Sequence, residues 1–261
     1  MFTTNPFAEL SAFLSPFVMQ GYIIVMIILV MAGTVYDVLH KKSAQYFFRN
    51  WRHVKNKGTQ SVSPGDMAAL AVKTVVVEAL MSGEFCNTRR RIAHLITMYG
   101  FLAYAATTVA MVFWYPTPAT LAPAILPFLW HIGALMVCFG GYWFWFFIRV
   151  DVTAEGNSPF RVVRADLFIL ALVGSGTLAL VWAYFQVLNN SWVNVVFGLY
   201  VIATTILFGT VPWSKFAHMF FKPAASFQRR VEEANGSRNN MPLSADKPET
   251  LGSVREGSSN Y

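Results

Sequence analysis

The sequence predicts an all-α membrane protein: a bundle of five transmembrane helices with a cytoplasmic loop that contains an interfacial helix. Of its 261 residues, 55% are hydrophobic and only 13% are charged. The mean hydropathy of +0.46 is far above that of an ordinary soluble domain. Five runs of about 20 apolar residues follow one another along the chain, and a helix of that length crosses roughly 30 Å of hydrocarbon.

The five predicted spans cover residues 17–39, 92–114, 121–148, 167–188 and 192–221. The last run is long enough to tilt, and Gly209 with Pro212 predicts a kink near its inner end. Residues 1–16 carry no basic cluster and precede a run that is too long for a signal peptide. We therefore expect them to form an external N-terminal segment ahead of a membrane domain that covers residues 17–223.

The basic residues predict the orientation, because lysine and arginine are retained on the cytoplasmic side during insertion. All 20 of them lie in the loop 40–91, between residues 149 and 164, or from Lys215 onward. The two connections on the opposite face have none. We expect a multi-pass protein of the bacterial inner membrane with its N-terminus outside and its C-terminus in the cytoplasm. The net charge of +7 is then an insertion signal and indicates no nucleic-acid partner.

The cytoplasmic loop 40–91 contains the stretch SPGDMAALAVKTVVVEALMSG, which is typical of an N-capped helix over residues 66–82. Ser63 or Asp66 is the candidate cap, and Gly83 is the predicted stop. We expect an interfacial or partner-docking helix, with a buried packing helix as the alternative. The tail, residues 224–261, becomes polar and poor in aromatic residues, so we expect it to be disordered unless a partner orders it.

The five histidines are the candidate cofactor ligands, because Cys86 and Cys138 lie far apart and offer no ligand set for an iron–sulfur cluster or zinc. A b-type haem between helices requires two imidazoles at one depth. His94 lies three residues past Arg91, and His218 lies four residues before Lys222, which correspond to roughly 4.5 Å and 6 Å from the cytoplasmic boundary. These two histidines are therefore the predicted axial ligands of the haem iron.

His131 lies 18 residues before Arg149, roughly 27 Å from the cytoplasmic boundary. It is too far away to share an iron with the predicted pair. An ionisable group inside the membrane is a functional candidate by default. Three roles remain open for His131: a hydrogen bond to a quinone, ligation of a second haem, or a hydrogen bond to a backbone carbonyl in a neighbouring helix.

The other polar candidates near the inner boundary carry weaker predictions. His40 is a third candidate ligand for the same haem, and His53 lies among basic residues and is expected to be solvated. Arg89, Arg90 and Arg91 are candidates to contact the haem propionates, although the sequence favours their role as an insertion signal as the single explanation.

Two motifs carry a resemblance to a known family. The basic cluster and histidine in RRRIAHLITMYGFLAY, with the terminal WSKFAHMFFKP, resemble the b-type cytochrome membrane subunits related to the nitrate reductase gamma subunit. Within that group the sequence is most similar to the membrane subunit of the quinone-interacting membrane-bound oxidoreductase complex, the heterodisulfide reductase cytochrome, and the membrane anchor of adenylylsulfate reductase. The likeness covers residues 17–223. The gamma subunit carries two bis-histidine haems, whereas this sequence supplies one matched pair, so one haem b is expected and a second depends on His131.

The resemblance implies an electron-transfer subunit of an oxidoreductase complex. Some relatives carry a cysteine-rich ferredoxin-like domain that this sequence lacks, so electrons are expected to be exchanged with a separate cytoplasmic iron–sulfur flavoprotein, adenylylsulfate reductase by resemblance. Membrane quinone is the expected substrate. The first alternative is a haem-free structural anchor that tethers a soluble enzyme to the membrane. A small carrier ranks below both, since no inverted repeat is evident.

Overall fold

The computed structural model describes residues 2–40, 42–83, 85, 87–149, 160, 162–163, 166–211 and 218–237, and for Ser43, His218 and Phe220 it describes the backbone alone. The helices of this part of the chain are α1 (Pro6–Glu9), α2 (Pro16–His40), α3 (Ser43–Lys57), α4 (Pro64–Thr74), α5 (Thr88–Trp114), α6 (Ile125–Phe147), α7 (Leu167–Val187), α8 (Val193–Gly209) and α9 (His218–Asn235). A short 3₁₀ turn (Leu10–Ala12) follows α1, and a π-helical segment (Val75–Leu80) continues α4.

The predicted all-helical fold is confirmed, and the described residues contain no strand. Four helices, α2, α5, α6 and α7, are long and apolar enough to cross a membrane. They correspond to the first four predicted spans. The N-capped helix predicted in the loop is also present: the Ser63 hydroxyl accepts a hydrogen bond from the Asp66 N–H at 3.1 Å.

Only part of the fifth predicted span, residues 192–221, lies within the described chain: residues 192–211 and 218–221. Helix α8 ends at Gly209 after 17 residues, and α9 begins at His218. Proline has no N–H, its ring clashes with the carbonyl four residues earlier, and it disfavours helix in the residue before it. Pro212 therefore explains why α8 stops where the hydropathy pattern predicted only a kink. As a result, the depth of His218 no longer follows from counting along one continuous helix.

The apolar helices pack in the cyclic order α5, α6, α7, α8, α2 and back to α5. The tightest approach is between α5 and α6. A Cβ on Gly133 would lie 2.7 Å from the Gly100 carbonyl oxygen, and one on Gly140 would lie 2.9 Å from the Ala93 carbonyl oxygen. Small residues at such positions let two helix backbones touch, which is how helices associate where no water is available to drive them together.

The N-terminal segment, predicted only as an external extension, packs into one end of the bundle. Asn5 caps α1 by accepting a hydrogen bond from the Phe7 N–H at 3.0 Å, and its amide donates to the Tyr115 carbonyl at 2.8 Å. Phe7 is 4% exposed and its ring contacts those of Trp130 and Trp182. We call this end of the bundle the α1 end.

Helices α3, α4 and α9, with the π-helical segment, pack together at the opposite end, which we call the α9 end. Trp51 of α3 stacks on Phe227 of α9 with ring centroids 5.8 Å apart. Arg230 donates to the Glu78 carboxylate at 2.6 Å, and both side chains are nearly buried. The buried ion pair joins α9 to the π-helical segment.

The tail predicted to be disordered begins inside α9. Residues 224–235 are helical, and Val231 and Glu232 are 3% and 1% exposed. The prediction was wrong for these residues because their apolar side chains repeat at helical spacing and cover α3 and α4, a signal that the polar composition of the whole tail obscured. Residues 238–261 lie outside the described part of the chain.

An ion pair joins the end of α6 to the start of α7. The Arg149 Nε donates to an Asp166 carboxylate oxygen at 2.9 Å, and the Val163 N–H donates to the other oxygen at 2.8 Å. Burial raises the pKa of Asp166, but these hydrogen bonds and the Arg149 charge outweigh burial and leave that pKa below its ordinary value of 3.8.

Gly133→Val should destabilise the bundle, because the added side chain meets the α5 backbone and cannot be accommodated without separating the helices. We expect a loss of about 1–3 kcal/mol in unfolding free energy, measured by thermal or denaturant unfolding in detergent. Gly198→Val on α8 is the matched control, since a Cβ there meets nothing within 4 Å. Equal stability of the two variants would contradict the close α5–α6 contact.

Asp166→Asn should lower stability at pH 7 by about 1–3 kcal/mol, because an ionised hydrogen-bond acceptor is lost. Since the folded-state pKa lies below 3.8, the wild-type advantage is present above that pH and shrinks as the pH falls further and Asp166 is protonated. Unfolding measured between pH 7 and pH 3 tests this, with exposed Glu9→Gln as control. A stability difference that is independent of pH would argue against the ion pair.

Candidate functional site

His94 lies in the second turn of α5, near the α9 end, and is half-buried. Its ring contacts Phe85 with centroids 5.0 Å apart. Phe85 belongs to the short connection between the π-helical segment and α5. The connection is held to α5 by hydrogen bonds from the Tyr99 hydroxyl to the Leu80 carbonyl at 2.8 Å and from the Arg91 Nε to the Met81 carbonyl at 2.8 Å.

The second turn of α9 approaches the same phenylalanine. Lys222 places its ammonium 5.7 Å from the centre of the Phe85 ring. Lys222 lies four residues after His218, so the two share a face of α9, one turn apart. Phe85 thus touches both His94 and the helical face on which His218 lies. The predicted pairing of His94 with His218 stays a prediction, because the His218 side chain lies outside the described residues.

Two of the three arginines predicted to contact the haem propionates, Arg89 and Arg90, make hydrogen bonds that stabilise the local structure. Asn87 caps α5 by accepting hydrogen bonds from the N–H groups of Arg89 and Arg90 at 2.9 Å and 3.3 Å. The Arg90 guanidinium makes a long hydrogen bond to the Ile148 carbonyl at 3.4 Å. Arg89 and Arg90 are exposed, and they lie five and four residues before His94 along α5.

Aromatic side chains bridge α5 and α8 across the inside of the bundle. The Tyr104 hydroxyl donates to the Tyr200 hydroxyl at 2.8 Å, and the rings of Phe101 and Phe208 lie 6.5 Å apart. His94 precedes Phe101 by seven residues, which places both on one face of α5. This face therefore turns toward the last residues of α8, beyond which the chain leads to His218.

His131 lies near the α1 end, six residues into α6, and is fully buried. Its Nδ1 lies 2.7 Å from the Pro127 carbonyl. A carbonyl oxygen only accepts, so Nδ1 carries the proton and Nε2 of the neutral ring keeps a lone pair. Among the described residues, Nε2 has no hydrogen-bond partner. The predicted carbonyl partner was on a neighbouring helix, whereas Pro127 lies one turn earlier on α6 itself. This contact leaves the other nitrogen available.

The two remaining histidines lie on the surface. His40 ends α2 and stacks on Tyr36 with centroids 5.5 Å apart. His53 is exposed on α3, as predicted. The described residues contain no group of three or more histidine, cysteine or acidic side chains that would hold a metal ion.

Sequence reasoning missed three groups that the fold brings inward. Tyr104 and Tyr200 meet in mid-bundle, and Trp182 is fully buried with its indole N–H unpaired among the described residues. Tyrosine and tryptophan are common at membrane boundaries, so neither type signals a site by itself. Counting residues inward from the ends of the spans would have placed both tyrosines far from either boundary, where a hydroxyl needs a partner.

Comparison with known proteins gives one informative match. No protein-family model matches the chain, and no solved structure matches it. The chain is 26% identical over 211 residues to a protein of Escherichia coli named citrate utilization protein B. The match covers 73% of this chain and 52% of that protein, so the chain spans about half the length of the curated relative it matches. The two proteins are distant homologues.

Asn235→Ala should loosen α9 and with it the helical turn that carries His218. The Asn235 amide donates to the Val54 carbonyl at 3.0 Å, and the substitution removes this buried hydrogen bond between α9 and α3 at a cost of about 0.5–1.5 kcal/mol. We expect faster hydrogen exchange in α9, measured by mass spectrometry. Asn56→Ala, exposed on α3, is the control. Unchanged exchange in Asn235→Ala would show that α9 is held by other contacts.

Proposed function

We propose that this chain is a membrane anchor and b-type cytochrome subunit that passes electrons between a cytoplasmic redox enzyme and the membrane quinone pool. In this proposal α8 is the fifth span, the α9 end lies in the cytoplasm of a bacterial cell, and the N-terminus lies outside. The observation that carries it is the position of Phe85, which contacts both His94 and Lys222 in the second turn of α9, one turn after His218.

The residues at the α9 end suit a haem chemically. His94 and His218 would hold the iron through imidazole nitrogens, and Arg89, Arg90 or Arg91 would neutralise the propionates. When bound, the haem supplies reversible one-electron transfer. The chain itself positions the two ligands: the α5–α6 contact fixes His94, and the Arg230–Glu78 pair and the Asn235 hydrogen bond fix α9. Phe85 covers His94 on one side and limits the access of water.

The proposed soluble partner is an iron–sulfur flavoprotein, adenylylsulfate reductase by resemblance. The amphipathic helix α3 favours docking at the α9 end, because Arg49, Arg52 and Lys55 are exposed and suit an acidic partner surface. The match to a protein named for citrate utilization favours a second candidate partner, a soluble enzyme of citrate metabolism. Either partner would use the same electron path through the membrane subunit.

His94→Ala and His218→Ala should each abolish haem incorporation, since a bis-imidazole site needs both ligands. The measurement is the reduced-minus-oxidised visible spectrum of the purified protein. His53→Ala, exposed on α3, is the control and should keep the wild-type spectrum. Normal haem content in either ligand variant would contradict the assignment. A well-folded but colourless wild-type protein would favour the haem-free anchor.

A further inference from the structure

The α1 end of the bundle contains two buried nitrogens with complementary hydrogen-bonding roles. His131 Nε2 is an acceptor, and Trp182 Nε1 is a donor; both side chains are 0% exposed, and neither nitrogen has a partner among the described residues. A buried polar group without a partner costs about 1–3 kcal/mol. A ligand that both donates and accepts would satisfy both groups.

The two groups lie at the same level of the bundle. His131 is six residues after the start of α6, and Trp182 is five residues before the end of α7. At 1.5 Å per residue these positions are roughly 9 Å and 7.5 Å from the helix ends. Both rings pack against Trp130, with centroids 4.9 Å and 6.4 Å from it.

The surroundings favour a flat, apolar ligand. The Phe2 ring packs on His131 with centroids 4.9 Å apart and is 43% exposed, so it lies at the edge of the site. Phe7 contacts Trp130 and Trp182 at 5.7 Å and 5.4 Å. An aromatic ring that entered from the lipid side could take the place of Phe2 and remain in aromatic contact. A haem has a weaker case, because no second histidine exists in this half of the sequence-predicted membrane domain.

We propose that His131 and Trp182 form a quinol-binding site at the α1 end, covered by the N-terminal segment. The ligand hydroxyl donates to His131 Nε2, and the Trp182 N–H donates to a ligand oxygen. The hydrogen bond from Nδ1 to the Pro127 carbonyl holds the imidazole in the tautomer that accepts. This inference rests on the proposed function for the identity of the ligand class, but it concerns a different end of the molecule from the haem site.

The test is titration calorimetry of the full chain in detergent, with decylubiquinol added to reduced protein and decylubiquinone added to oxidised protein. His131→Phe keeps an aromatic ring but removes the hydrogen-bond acceptor. The variant should therefore bind decylubiquinol about tenfold more weakly than wild type, whereas its affinity for decylubiquinone should change little. Trp182→Phe removes the indole N–H donor and should weaken the binding of both ligands. Trp192→Phe, on an exposed tryptophan outside the site, is the control. The Phe2→Ala variant should bind both ligands more tightly, because the ligand ring no longer competes with the Phe2 ring for the place beside His131.

Visible spectra of the same samples separate this inference from the proposed function, because neither substitution touches the α9 end. Quinol binding that depends on His131 in a protein without haem would support the site and overturn the cytochrome proposal. Haem-containing protein that fails to bind decylubiquinol, or binds it equally in wild type and both ring-conserving variants, would overturn the site alone. If His131→Phe does not fold, as judged by circular dichroism, Trp182→Phe decides the outcome.

Discussion

The contact between α5 and α6 fixes the level of every candidate site in the bundle. Gly100 and Gly133 let the two backbones touch, so the register of one helix sets that of the other. His94 then lies near the α9 end and His131 near the α1 end. Trp130, next to His131, donates to Thr108 at 2.9 Å, and Thr108 lies fourteen residues after His94, roughly 21 Å along α5. The two candidate sites are thus held at opposite ends of one rigid pair of helices.

Between these sites the bundle interior is filled by large side chains. The hydroxyl pair of Tyr104 and Tyr200 joins α5 to α8, and the Tyr22 hydroxyl of α2 hydrogen-bonds Thr204 of α8 at 2.7 Å. In an apolar environment such hydroxyls need partners, and here each satisfies a neighbour on another helix. This layer connects α2 and α5 to α8, which is shorter than the other apolar helices.

Hydropathy predicted the four long apolar helices α2, α5, α6 and α7 well, because burial in lipid imposes one condition on every residue of a long run. Hydropathy was less successful where other features of the sequence determine where a helix begins or ends. Pro212 ended α8 early, the polar tail concealed an amphipathic α9, and the N-cap of Asn5 before Pro6 was a local signal for α1 that its short length hid. For the candidate sites, two arguments from the sequence selected His94 and His131: histidine is a common ligand, and the number of residues from the cytoplasmic boundary gives the depth of each. The contacts of Phe85 and the unpaired Trp182 nitrogen depend on packing between distant segments, which a single sequence does not encode in any local pattern.

We propose one haem between α5 and α9, and electron paramagnetic resonance of the oxidised, purified protein reports its axial ligands. Ligation by two imidazoles gives a low-spin ferric centre, so we expect one low-spin haem per chain. A high-spin haem would show that one histidine is not a ligand, and a folded protein with no haem signal would overturn the cytochrome proposal.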